Sequence, residues 1–292
     1  MEGETMTHDI KTGDVAVFEA ENDWISKSIA LITRSDVSHA ALVHQDMTFA
    51  EMGLSGIQSN PFCVDEEKGR KVYFLRLTPE KDAAALSAAA QKYIDAKVEY
   101  DKPSLFLLAG YLIYRQIRKP TARWRTAADF IISAGIWAID KLINQAKNKK
   151  AMVCSQFVYQ CYFDCGREYR IDISPRELAP ELSASGQLCL ADLAKEAGPV
   201  AEAPMLLSIS EEELAKELYL ALSEEVDTSA FLLASDLSSV ASKAKTFIEK
   251  LEDLLKILSL EMPVSALFVT PADLLQNASN LALKATVKIS RK

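Results

Sequence analysis

The stretch Ala151-Met-Val-Cys154-Ser-Gln-Phe-Val-Tyr-Gln-Cys-Tyr-Phe163 decides how the chain folds. Apolar residues recur at Val153, Phe157, Cys161 and Cys165, with Val158 and Tyr162 beside them. That is one face of a 3.6-residue period. Cys154 falls in the first turn of this helix, just after the basic run Lys147-Asn-Lys-Lys150. A thiol at a helix N-terminus feels the positive end of the macrodipole, and nearby lysines add to that field, so both favour the nucleophilic thiolate. A nucleophile also needs a base, and the chain offers three histidines: His8, His39 and His44.

Upstream of this helix the pattern is that of strands. Gly13 to Glu19 alternates apolar and polar residues and reads as a first strand, and Asp23 caps a short helix ending at Ile32. Ser38 to Gln45 is a second strand and Thr48 to Met52 a third, across a tight turn at Asp46-Met47. Gly53 and Gly56 punctuate before a strand at Ile57 to Phe62, and Lys71 to Leu77 is another. Residues up to 77 are therefore expected to form an antiparallel sheet. Pro79 then suits the first turn of a helix running to about Ala96.

Downstream the chain is helical. Two uncharged apolar runs, Pro103 to Tyr114 and Phe130 to Ile139, are each shorter than the roughly 20 residues of a membrane span. Arg115, Arg118, Lys119, Arg123, Trp124 and Arg125 separate them. They read as buried helices, or as peripheral membrane contact through 103–139, since apolar helices flanked by Arg and Trp suit a lipid surface. A short helix is expected near 188–196, and an acidic one from Glu211 to Leu222. Leu233, Leu237, Val240, Ala244, Phe247, Leu251, Leu254 and Leu258 alternate spacings of four and three, a heptad seam. It fits a helical hairpin packed on its neighbour, or an oligomer or protein partner held through 211–258. Pro263 ends it.

Composition narrows the function classes. The 292 residues carry a net charge of −8, which argues against nucleic acid as a partner. The cysteines at 63, 154, 161, 165 and 189 are too few and too irregular for a disulfide framework. Cys161 and Cys165 are spaced like metal ligands, but no histidine lies near them to complete a tetrahedral set, so no metal and no organic cofactor is expected. The start MEGETMTHDIKTGD is polar and lacks an apolar signal core, which points to a cytoplasmic protein or export by a signal-independent route.

His39 and His44 lie five apart on one strand and so face opposite sides of the sheet; at most one can serve Cys154. A thiol–imidazole pair also needs a third group to fix the ring. Glu51 interrupts the apolar Phe49-Ala-Glu-Met52, needs a partner if buried, and could lie beside His39 across the hairpin.

The order of these parts resembles the circularly permuted branch of the NlpC-type papain-like hydrolases, the YiiX/YebB-like group, whose relatives include the lecithin:retinol acyltransferase-like enzymes. The resemblance rests on Gly13-Asp14, Ser38-His39, Phe49-Ala-Glu51, Gly56-Ile57, Pro61-Phe62, Tyr100-Asp101, Val153-Cys154-Ser155 and Val269 to Leu274. It implies an α+β, permuted papain-like core with the antiparallel sheet first and the cysteine helix after, carrying helical insertions. Residues 1–204 would form this core with 104–150 inserted, 205–262 a helical hairpin, and 263–292 a return segment closing the core. The implied site is Cys154 as nucleophile, His39 as base and Glu51 as the orienting residue. The implied chemistry is thiol hydrolysis through a thioester, on an amide of a peptide or cell-wall fragment. An acyl-lipid hydrolase or acyltransferase at a membrane, and a non-catalytic scaffold using the heptad helix, are the alternatives the residues leave open.

Overall fold

The computed structural model describes residues 9–100, 122–145, 152–173 and 268–291, with isolated positions within 103–110 and 243–254 and residue 216. His8, the lysines of 147–150, Cys189, the 188–196 helix and nearly all of 211–222 lie outside the described residues.

The chain is a mixed α+β protein built on six antiparallel strands. In chain order these are β1 (Val15–Glu19), β2 (Val37–His44), β3 (Thr48–Gly53), β4 (Gly56–Val64), β5 (Arg70–Leu77) and β6 (Leu281–Arg291). They close into a barrel in the order β1-β2-β3-β4-β6-β5. Every strand alternates sides, so each contributes one face to the interior and one to the outside. The interior holds Ala16, Phe18, Ala41, Val43, Phe49, Phe62, Val72, Phe74, Val287 and Ile289. Its aromatic rings interlock: Phe49 stacks on Phe62 with centroids 3.9 Å apart, and Phe18 meets Phe49 edge-on at 5.2 Å.

The outer face of β1, β2 and β3 is covered by helices, which corrects the expectation of a half-polar first strand. Val15, Ala16, Val17 and Phe18 are all buried, because one pair faces the barrel and the other faces the helical layer. A strand covered on both sides reads as a continuous apolar run rather than an alternation.

The helices are α1 (Trp24–Thr33), α2 (Ala83–Asp95), α3 (Ala122–Gln145), α4 (Cys154–Asp164) and α5 (Pro271–Gln276). Helix α2 starts at Ala83 rather than at Pro79, because Asp82 accepts a hydrogen bond from the Ala84 amide and so caps the helix there. Helix α4 packs on β2 and β3 and is buried nearly all round, not along a single face. Several of its polar groups are hydrogen-bonded within the helix start or to distant parts of the chain. Ser155 Oγ donates to the Val269 carbonyl at 2.6 Å, and Gln156 Oε1 accepts from the Val153 amide at 3.1 Å. Tyr162 Oη donates to the Gly13 carbonyl at 2.5 Å, joining α4 to the start of β1. Gly13 has a φ of 88°, the left-handed region open to glycine, and its carbonyl is presented to Tyr162 from that turn.

The return segment enters through a capping box, in which Thr270 and Asp273 bond each other's backbone amides ahead of Pro271 at the first helical turn. The chain then runs into β6. This tail, with no clear reading in the sequence, is an eleven-residue strand that pairs with β4 on one side and β5 on the other.

Among the described residues between the sheet and the return segment, Leu107, Ile131, Ile132, Ala138 and Ile139 are buried, as are Phe247, Leu251 and Leu254 of the heptad seam. The Phe247 ring sits against Gly110 and Gly135, where an added Cβ would stand 3.3 and 2.7 Å from it. Lys250 pairs with Asp140. Phe247 of the seam therefore packs between Gly110 and Gly135. No helix among the described residues is long and apolar enough to cross a membrane.

Candidate functional site

Helix α4 begins at Cys154, with Val153 in the extended N-cap position offering no side-chain cap. The Cys154 sulfur lies close enough to the His39 side chain, the Ala40 amide of β2 and the Ser155 amide of its own helix for each to act on it electrostatically. The two amides form a small anion-stabilising corner between a helix start and a strand.

His39 stands opposite Phe18 in the β1–β2 ladder and packs on its ring at 5.2 Å between centroids. Its side chain is 18% exposed, and Nε2 lies 2.7 Å from Glu51 Oε2. That contact leaves Nδ1 as the nitrogen for the thiol. Glu51 is buried, its side chain 4% exposed, and three donors converge on it. His39 and the Arg291 Nη2 share Oε2, each at 2.7 Å, while Asn60 Nδ2 donates to Oε1 at 2.7 Å.

The electrostatics follow from these contacts. Burial pushes the Cys154 thiol up, but the His39 hydrogen bond and charge, with the Ala40 and Ser155 amides, outweigh it and hold the thiol below its ordinary range. Burial acts to lower His39, yet Cys154 and then Glu51 overcome it and raise the imidazole to about 9. Burial likewise raises Glu51, and His39, Arg291 and Asn60 together bring it below the ordinary carboxylate value. A thiolate and an imidazolium side by side, with a carboxylate behind, is the charge pattern these shifts describe.

The three residues singled out from the sequence, Cys154, His39 and Glu51, thus meet in one place. His44 does not join them. It is buried on the other side of β2, with Nε2 facing Gln91 Oε1 and Nδ1 facing Ser87 Oγ, each at 3.0 Å, and it ties β2 to α2. Burial pushes Cys161 and Cys165 up, away from thiolate. Cys63 lies on β4 with its sulfur 3.8 Å from the Ser290 carbonyl. Among the described residues no group of three or more His, Cys, Asp or Glu is placed to hold a metal.

Asn60 and Arg291 were missed by sequence reasoning, although a signal existed for both. Asn60 shares the parity of Phe62 along β4, a polar residue on a barrel-facing position. Arg291 continues the alternation of Val287 and Ile289, whose side chains fill the barrel. The Ala40 amide carries no sequence signature at all.

Comparison with known proteins finds no family model, no curated protein and no solved structure that matches this chain.

Proposed function

We propose that this chain is a thiol hydrolase that works through a thioester acyl-enzyme, with Cys154 as nucleophile, His39 as general acid–base and Glu51 as the residue that orients the imidazole. The observation that carries this is the line of contacts from Cys154 to His39 to Glu51, each group held by a different element. The thiolate attacks a carbonyl carbon, and the imidazolium gives its proton to the departing amine or alcohol. Water, deprotonated by the now neutral His39, then attacks the thioester and frees the acid and the thiol. The Cys154 amide, in the first turn of α4 at the positive end of the helix dipole, is the proposed donor to the tetrahedral oxyanion.

An amide in a peptide or cell-wall fragment is the favoured substrate. The described apolar side chains of 103–145 are largely buried, and Phe247 fills the notch between Gly110 and Gly135, so this part of the chain is accounted for by internal packing. The acyl-lipid reading draws on the length and flanking arginines of that segment and is the second outcome of the test. Wild type and Cys154→Ala are incubated with cell-wall peptide fragments and with phospholipid vesicles, and products are followed by mass spectrometry. New amine and carboxylate termini from wild type alone support the amidase; free fatty acid or a transferred acyl chain supports the lipid enzyme. Silence on both, with Cys154 alkylated no faster than Cys63, sinks the catalytic proposal.

A further inference from the structure

We infer that Arg291 is a positioning residue of this site, sharing the Glu51 carboxylate oxygen Oε2 with His39 and so governing how the imidazole is held and how readily it gives up its proton. The inference rests on the proposed thiol chemistry.

The geometry is specific. Three strands converge on one carboxylate: His39 from β2 and Arg291 from β6 take Oε2, and Asn60 from β4 takes Oε1, all at 2.7 Å. Glu51 itself comes from β3 and is nearly sealed from solvent, its side chain 4% exposed against 52% for Arg291. A buried carboxylate needs a partner, whereas a half-exposed guanidinium keeps much of its hydration while supplying one. The Arg291 backbone is fixed as well, since it stands opposite Phe62 in the β4–β6 ladder and follows Ile289, which is sunk in the barrel. The inner relay is therefore complete only when β6 has closed the barrel.

Two cations compete for Oε2, which sets the direction of the effect. With Arg291 present, part of the carboxylate's negative charge is already neutralised, and the imidazolium is held less firmly than a lone Glu51 would hold it. Among the described residues, Cys154 from α4 and Arg70 from β5 are further titratable groups near this carboxylate–imidazole pair. Arg70 is engaged with the Glu19 carbonyl, Ser38 Oγ and the Glu21 carboxylate, and its guanidinium lies over the Phe18 ring. It does not replace Arg291 on Glu51.

The test uses the full chain as wild type, Arg291→Gln, Arg291→Met and Arg291→Lys. Two quantities are read: the titration of the His39 ring protons by NMR, assigned with His39→Ala, and the rate of Cys154 alkylation by iodoacetamide, resolved by mass spectrometry. Arg291→Gln is expected to move the His39 titration up by about one pH unit, because a neighbouring positive charge has been removed. Arg291→Lys keeps the charge and is expected to stay close to wild type. If Arg291→Gln proves unfolded by circular dichroism, Arg291→Met decides: an upward displacement of about one pH unit supports the inference, and a titration unmoved or moved downward overturns it. A normal wild-type profile that Arg291→Gln leaves unmoved, or moves downward, overturns the inference alone. A wild-type His39 that titrates at its ordinary value, with Cys154 alkylated no faster than Cys63, overturns the thiol-hydrolase proposal and this inference with it.

Discussion

His39 Nε2 and Glu51 Oε2 are 2.7 Å apart although the two residues are not opposite each other in the β2–β3 ladder, where Glu51 faces Ala41. They are diagonal neighbours on one face, a relation that only a long side chain can bridge. Helix α4 then supplies the third member from outside the sheet, so the relay runs across β3, β2 and α4 rather than along any one of them.

The diagonal geometry makes the length of residue 51 as important as its charge. Glu51→Asp withdraws the carboxylate by about 1.5 Å, one carbon–carbon bond, and Glu51→Gln keeps the length while removing the charge. Each is expected to slow Cys154 alkylation at pH 7 by about 10-fold, because the imidazolium that favours the thiolate loses its counter-charge. His44→Ala, which breaks only the bonds to Ser87 and Gln91, should leave that rate unchanged and cost about 1–3 kcal/mol of stability. Iodoacetamide kinetics and urea unfolding on the same samples separate the two effects.

Turnover should be bell-shaped in pH, with its upper limb at about 9, where His39 loses the proton that the leaving group needs. The lower limb follows the Cys154 thiol, held below its ordinary value, and rises as the thiolate forms. Alkylation behaves differently at high pH: the thiolate persists above 9, so its rate does not fall there. A coincident fall of both above that pH counts against the assigned roles.

Arg76 makes a two-pronged bond to Asp14, Nε to Oδ1 at 2.7 Å and Nη2 to Oδ2 at 2.9 Å, with side chains 7% and 1% exposed. Asp9 adds a contact from the exposed side at 3.0 Å. Asp14→Asn leaves the guanidinium without its buried counter-charge and is expected to cost about 3–5 kcal/mol. Because Asp14 sits beside the Gly13 turn that Tyr162 binds, thermal melts should show the loss while Cys154 alkylation in the folded protein stays near wild type.

Gly135 should respond to substitution with a change of sign. An added Cβ meets the Phe247 ring at 2.7 Å, so Gly135→Ala overpacks a buried contact at about 1–3 kcal/mol, partly offset by about 0.5–1 kcal/mol of helix propensity. With Phe247→Ala in place the clash is gone, and Gly135→Ala should turn stabilising by about 0.5–1 kcal/mol. A double-mutant cycle from urea unfolding measures the coupling, and simple additivity refutes the packing.

How much of this was legible depended on whether a feature is local. The strand–turn spacing from Gly13 to Leu77 and the start of α4 at Cys154 were both readable, because periodicity and turn residues act over a few positions. The β6 strand was not assigned in the sequence, since Leu281 to Arg291 mixes lysines with small and apolar residues and no neighbouring hairpin marks it. Its partners lie more than 200 positions away in β4 and β5.

The sequence by itself pointed to an α+β layout with strands ahead of a cysteine helix, and local chemistry singled out Cys154, a thiol at a helix start, and Glu51, a carboxylate in an apolar strand, while His39 was chosen over His44 only through the family resemblance. Only the tertiary structure decided that the sheet closes into a barrel, that Asn60 and Arg291 share the Glu51 carboxylate, and that the Ala40 amide lies near the sulfur. The physical reason is the same for all three. Closure and convergence depend on pairing between strands far apart in the chain, and no local pattern records which distant strand will supply the next hydrogen bond.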